Sequence, residues 1–224
     1  MKLLRTLLIL ALPLVLGLGT IRLLMSEAFL VYEYSKPDFP PDPAGFTQAD
    51  RLNYARVALE YIRTTAPIGL LADQRLPDGR PLYNERELRH MIDVQRLANQ
   101  LLLVTWVAGG IVVVGGALLA WRPETRPLLA SALLGGAALT ILILLGILLL
   151  VLVGWNTFFV GFHNLFFAPG TWQFALTDTL IRLFPERFWF DVALLIGLGT
   201  LVEAVVIGSI AWLWGRRLEP RGRG

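Results

Sequence analysis

Apolar residues in this chain gather into four long runs separated by polar segments. The runs extend from about Leu3 to Met25, Leu97 to Trp121, Leu128 to Val153 and Val192 to Trp214. A helix that crosses a bilayer needs roughly 20 consecutive apolar residues, and each run reaches that length. None shows the strict alternation of a barrel strand, so helices are the expected form. The first run has a basic start (Lys2, Arg5) like a signal peptide, and Ser26-Glu27-Ala28 has the small-x-small pattern of a cleavage site. That site lies too far beyond the apolar middle, across Arg22, which favours an uncleaved anchor.

The pattern predicts an all-α membrane protein: a four-helix transmembrane bundle with a small extracytoplasmic cap and an aromatic interfacial or re-entrant segment. Residues 1–25, 97–121, 128–153 and 192–214 are the spans. Residues 26–96 form the cap, 122–127 a cytoplasmic loop, 154–191 the aromatic segment and 215–224 a basic tail. Orientation follows from the flanks. Lys2 and Arg5, then Arg122 and Arg126, then Arg216, Arg217, Arg221 and Arg223 lie beside the spans. Positive flanks stay in the cytoplasm, which places both termini there and both larger segments outside.

Within the cap, the Pro-rich stretch from Lys36 to Pro43 cannot be helix interior. Thr47 with Asp50 reads as a capping-box variant, opening a helix with Leu52, Ala55, Leu59 and Ile62 on one face. Pro77-Asp78-Gly79 is a turn signal, and Asn84 with Glu87 is a second capping box whose helix runs on into the next span. The segment 154–191 is crowded with aromatic residues, from Trp155 and Phe158 to Trp189 and Phe190. It reads as a belt anchoring helix ends at the headgroup level, or as a greasy re-entrant floor beneath a lipid site.

Composition agrees with this picture. Hydrophobic residues make up 55% of the chain and mean hydropathy is +0.61, too apolar for an ordinary soluble domain. Cysteine is absent, which excludes disulfides, thiolate metal sites and a Cys nucleophile. The net charge of +3 is spread out, so no nucleic-acid partner is expected.

Candidate chemistry centres on the two histidines, His90 and His163. Glu87, His90 and Asp93 share one broad helix face, and a carboxylate beside an imidazole can orient its tautomer. A single interfacial histidine is ordinarily a polar group reaching toward water. Two at the same depth on the same side of a small bundle are more informative. A metal site from His90, His163 and Asp93 or Asp178 stays open, although His-x-x-Asp is a loose signature. There is no Gly-x-Ser-x-Gly and no phosphate-cradling Gly loop. The pairs Gly109-Gly110, Gly115-Gly116 and Gly135-Gly136 fall inside spans, where close helix packing explains them. Glu203, near the middle of the last span, is either functional or a protonated acid bonded across helices near Thr140 or Ser209.

The stretch Tyr83-Asn84-Glu85-Arg86-Glu87-Leu88-Arg89-His90-Met91-Ile92-Asp93-Val94 resembles the Glu-x-x-His-Met-x-Asp-Val signature of the lipoprotein intramolecular transacylases (Lit). A second block resembles the partner motif of that bacterial four-span family. It comprises Phe162-His163-Asn164-Leu165-Phe166-Phe167, Trp172, Asp178, Leu180-Ile181, Leu183-Phe184-Pro185-Glu186, Phe188 and Asp191. The resemblance covers nearly the whole chain. It implies transfer of the sn-2 acyl chain of a diacylglyceryl-Cys to the α-amine of the same Cys, giving a lyso-form lipoprotein. The motif histidines are then His90 and His163 as catalytic residues, with Glu87, Asp93, Asn164, Trp172 and Asp178 in support. No cofactor and no metal is implied. The partners are diacylglyceryl-modified lipoproteins and membrane lipids, and the place is the bacterial cytoplasmic membrane with the site at its outer face.

The residues fit this chemistry on their own account. Ester aminolysis needs a neutral amine, a donor to the oxyanion and a proton for the leaving glyceryl oxygen, which two imidazoles can supply. The nucleophile belongs to the substrate, so no Ser or Cys motif is required. The competing readings are a metal-dependent membrane hydrolase using the same histidines, and a non-enzymatic accessory or transport protein built on Glu203 and the aromatic floor.

Overall fold

The computed structural model describes residues 1–218; Arg221 and Arg223 of the expected basic tail lie outside the described residues. Every regular element among the described residues is helical. The order is α1 (Lys2–Leu24), α2 (Glu27–Tyr34), α3 (Gln48–Arg63), α4 (Gly69–Ala72), α5 (Glu85–Trp121), a 3-10 turn (Pro123–Thr125), α6 (Arg126–Val153), α7 (Trp155–Phe166), α8 (Thr179–Leu183) and α9 (Glu186–Leu218). Four helices, α1, α5, α6 with its leading turn, and α9, are long and apolar enough to cross a membrane. The protein is therefore a multi-span membrane protein. Large apolar side chains such as Trp106, Val113, Leu149 and Val202 stay exposed along these helices, as a lipid-facing surface requires.

The chain divides into two compact units. The first contains Met1–Ile21, Leu101–Leu152 and the described residues from Leu195 onward. Here α1 buries Leu8, Leu12, Leu16 and Thr20, a stripe at four-residue spacing. Glycines let it approach its neighbours closely. A Cβ on Gly136 would stand 2.8 Å from the Leu12 side chain, and one on Gly115 would stand 3.0 Å from Leu4. The small-residue expectation fails at Gly109 and Gly110, which face open space. Glu203 also departs from expectation. Its Oε2 lies 3.3 Å from Thr20 Oγ1, which is in turn 3.3 Å from Thr200 Oγ1. Thr140 instead donates to Gly136 O within its own helix.

The second unit contains Arg22–Gln100 and Val153–Leu194. Its core gathers Ala58, Tyr61, Leu71, Leu82, Tyr83, Met91, Leu180 and Leu183. Ser26 caps α2 through Phe29 N, and Thr47 and Asp50 form a complete capping box on α3. The Pro-rich stretch between α2 and α3 is pinned from both sides. Arg51 Nη1 donates to Pro40 O at 2.7 Å, and the Arg182 guanidinium grips Asp42 with bonds of 3.1 and 2.8 Å. The turn signal at Pro77–Gly79 closes with Gly79 N donating to Leu76 O, and Gly79 takes φ +86°, a left-handed conformation that favours glycine. Gln95 Nε2 reaches the carbonyls of Tyr61, Thr64 and Ala66, tying the end of α3 to α5.

Candidate active site

The site begins with the charged opening of α5, whose residues 85–96 precede the apolar run that starts at Leu97. Asn84 and Glu87 make the expected capping box: Glu87 N donates to Asn84 Oδ1 at 3.0 Å, and Asn84 N donates to Glu87 Oε2 at 2.8 Å. The other Glu87 oxygen accepts from Leu180 N at 2.7 Å, so this buried carboxylate joins α5 to α8. One turn further along α5, His90 is 7% exposed.

His163 lies on α7, where the sequence places Phe159, His163 and then Phe167 at four-residue spacing. His163 Nδ1 lies 2.8 Å from Phe159 O, a carbonyl that can only accept. The neutral ring therefore carries its proton on Nδ1 and its basic lone pair on Nε2.

The two imidazoles face each other with centroids 6.4 Å apart and planes 26° from parallel. Aromatic rings enclose them. Phe167 and Phe174 meet His90 edge-on at 4.8 and 5.3 Å. Phe159 and Trp172 lie 4.1 and 4.6 Å from His163. Two polar atoms in this enclosure, His90 Nδ1 and Trp172 Nε1, are buried without a hydrogen-bond partner. Orphaned groups of this kind cost about 1–3 kcal/mol each, and they concentrate where a ligand is to complete the site.

The enclosure governs protonation. Burial pushes His90 down to about 4, helped by the nearness of His163. Burial also lowers His163, opposed by its bond to Phe159 O. Both rings are neutral near pH 7.

The supporting residues fare differently. Among the described residues no carboxylate orients His90, contrary to expectation: Glu87 is spent on backbone N–H groups, and Asp93 pairs with Arg96 at 3.2 Å. Asp178 accepts from Asn84 Nδ2, Arg86 Nη2 and Ala175 N, which makes it a second clamp on the loop rather than a group at the imidazoles. Asn164 is exposed. Trp172 does join the histidines. Among the described residues no three His, Asp or Glu side chains converge as a metal site requires. Phe167 belongs to the second motif block, whereas Phe159 and Phe174 stand in the sequence only as members of an aromatic crowd; the four-residue spacing of Phe159, His163 and Phe167 is the one signal that sets Phe159 apart.

Fold and candidate site together are those of a multi-span membrane protein in which two histidines face each other inside aromatic walls. Comparison with known proteins gives that class a family. The sequence profile of the family described as lipoprotein intramolecular transacylase Lit matches residues 6–189. The chain belongs to this family and is an acyltransferase of the intramolecular transacylase type. It is 30% identical over 228 residues to an uncharacterized protein from Aquifex aeolicus (strain VF5), with 99% of each chain covered. Its fold is similar to the solved membrane integral lipoprotein intramolecular transacylase Lit from Bacillus cereus, with TM-score 0.78 and 22% identity over 96% of this chain and 95% of that one. A histidine-to-alanine variant of that protein superposes with TM-score 0.68 and 21% identity, covering 96% and 94%.

Proposed function

We propose that the paired histidines carry the transfer of an sn-2 acyl chain from the glyceryl group of a lipoprotein Cys to that residue's α-amine. The site faces the outer leaflet of a bacterial cytoplasmic membrane, and both termini face the cytoplasm. The observation that carries the assignment of residues is the apposition of His90 and His163 at 6.4 Å inside one aromatic enclosure.

The roles follow from the fixed tautomer and the depressed basicities. The substrate amine attacks the ester carbon, forming the N–C bond and an oxyanion. His163 Nε2, whose lone pair is set by the Nδ1 bond to Phe159 O, takes the proton that the amine loses. His90 remains neutral and acts as a hydrogen-bond donor to the carbonyl oxygen, as a neutral imidazole of low pKa can. Its donor is Nε2–H, because that tautomer leaves only a lone pair stranded at the buried Nδ1. Trp172 Nε1–H is a second donor available to the oxyanion. Collapse of the intermediate breaks the ester C–O bond, and the His163 imidazolium returns its proton to the departing glyceryl oxygen. One ester becomes one amide and one free hydroxyl.

Positioning supplies much of the acceleration. Amine and ester belong to one molecule and meet through a ring of about eight atoms, so no second substrate has to be captured. The aromatic walls suit the glyceryl and acyl groups and exclude the water that would hydrolyse the ester.

The test is to express the chain with a diacylglyceryl lipoprotein in a host lacking N-acylation. Mass spectrometry of the N-terminal peptide should show an N-acyl group and a single remaining ester. An N-terminus that keeps two esters and a free amine would remove the assignment.

A further inference from the structure

The second unit also holds an open surface cavity, which shares no residue with the histidine enclosure. Its volume is about 370 Å³, and Arg22, Glu27, Arg56, Leu59, Glu60 and Arg63 line it. Arg22 stands in the last turn of α1, where the apolar span ends, and Leu23 beside it is exposed. The cavity therefore opens at the boundary between hydrocarbon and headgroups. Arg56 is paired with Glu27 at 2.9 Å, yet its Nε is buried without a partner. Arg22, Arg63 and Glu60 make no ion pair among the described residues.

Guanidinium groups match phosphate oxygens in geometry and charge, and at a membrane boundary lipid phosphates are the anions at hand. The two glutamates leave the lining with only a small positive excess, which disfavours a strongly anionic ligand. The arrangement fits a group that carries one phosphodiester and one cation. A diacylglyceryl-Cys has no phosphate, so the transacylase substrate leaves the arginines unexplained.

We infer that this cavity binds the headgroup of a zwitterionic glycerophospholipid. The phosphodiester lies on Arg22 and Arg63, with Arg56 Nε within the same lining. The primary ammonium faces Glu60, and the acyl chains run beside the exposed apolar end of α1. This inference stands independently of the transacylase reading.

The experiment uses the full chain in detergent and measures retention of added lipids by native mass spectrometry. The probes are phosphatidylethanolamine, phosphatidylglycerol and diacylglycerol, with soluble glycerophosphoethanolamine as the test for a free phosphodiester. One phosphatidylethanolamine should bind more tightly than phosphatidylglycerol, with diacylglycerol at background and the soluble compound weaker than the lipid. Arg22→Gln with Arg63→Gln should weaken retention about tenfold or more, the scale expected for losing charge-assisted hydrogen bonds. Glu60→Gln should erase the preference over phosphatidylglycerol. Arg63→Gln alone, at an exposed position, should weaken retention severalfold and keeps the test valid where the double variant fails to fold. Equal retention by wild type and Arg63→Gln, or diacylglycerol held as well as phosphatidylethanolamine, would overturn the site. The soluble compound binding as tightly as the lipid would overturn its assignment to a membrane lipid.

Discussion

His90 and His163 stack at 6.4 Å although one belongs to α5 and the other to α7, and among the described residues no acidic side chain hydrogen-bonds either ring. Two imidazoles so close in an aromatic enclosure cannot both hold a proton cheaply. Burial suppresses protonation of both rings, and His163 further suppresses that of His90. The proposed aminolysis calls for a neutral base and a neutral donor at one place, and two rings of low basicity side by side suit both roles.

His90→Ala and His163→Ala should each lower turnover by ~10²–10⁴-fold, the usual contribution of a positioned acid or base. Trp172→Phe keeps an aromatic wall but removes the N–H along with the pyrrole part of the indole. It should lower kcat by ~10²–10³-fold with little change in KM, as loss of an oxyanion donor does. All three proteins should insert and unfold at temperatures close to wild type. Rates within a few-fold of wild type would leave these side chains a packing role only.

The pH dependence of stability has a defined sign. His90 titrates at about 4 in the folded chain, below the roughly 6.5 of an unperturbed histidine. The unfolded chain therefore binds a proton that the folded chain refuses. The stability linked to this difference is complete above pH ~6.5 and is lost as pH falls toward 4. His90→Ala should blunt the acid-induced fall in thermal stability over that interval. Equal acid sensitivity in wild type and variant would show that another group controls it.

The reaction rate should follow a different group. The α-amine of the substrate has a pKa near 7.7–8.0, so kcat/KM should rise about tenfold per pH unit below that range and level above it. A separate break near 6.5 should be absent, because burial pushes His90 down to about 4 and lowers His163 as well. Following N-acyl product by mass spectrometry across this range checks it, and a dominant break near 6.5 would return the titration to the enzyme.

The two carboxylates of the first motif should separate cleanly. Glu87 anchors Asn84 N and Leu180 N from a buried position, so Glu87→Ala should cost ~1.5–3 kcal/mol of stability, the scale for hydrogen bonds to a charged group. Asp93 pairs with Arg96 at the surface of α5, so Asp93→Asn should stay within about 0.5 kcal/mol and keep near-normal activity. Thermal unfolding and turnover of the two variants test the contrast. A severe activity loss in a stable Asp93→Asn protein would put that carboxylate back at the imidazoles.

What could be read from the chain was what depends on local periodicity. The four apolar runs, the boxes at Thr47–Asp50 and Asn84–Glu87 and the turn at Gly79 are set by residues within one or two turns of each other. The pairing of the two histidines was inferred from shared depth, and the family motif singled out the same two. Partners were harder. Glu87 and His90 share a helix face, but Glu87 is claimed by Leu180 N, which only the fold brings near. Asp178 likewise is taken by Arg86, and Glu203 finds Thr20 rather than Thr140. Phe174 becomes a wall of the site through the turn around Gly170, whose effect on side-chain direction no spacing rule conveys.

The orientation with both termini in the cytoplasm rests on the basic flanks. A reporter that works only outside the cytoplasm should be silent when fused after Gly224 and active when inserted near Gly79. The opposite pattern would invert the topology and move the site to the inner face.

The most direct test of the account follows the acyl group itself. Two diacylglyceryl lipoproteins of different sequence, one with isotopically heavy acyl chains, are mixed with the purified protein and unlabelled phospholipid. Intramolecular transfer leaves each lipoprotein's mass unchanged, because one ester is exchanged for one amide. Fragmentation should show every N-acyl chain carrying the label of its own remaining ester. Labels scrambled between the two lipoproteins, or mass gained from phospholipid, would contradict it and require an acyl group that travels between molecules.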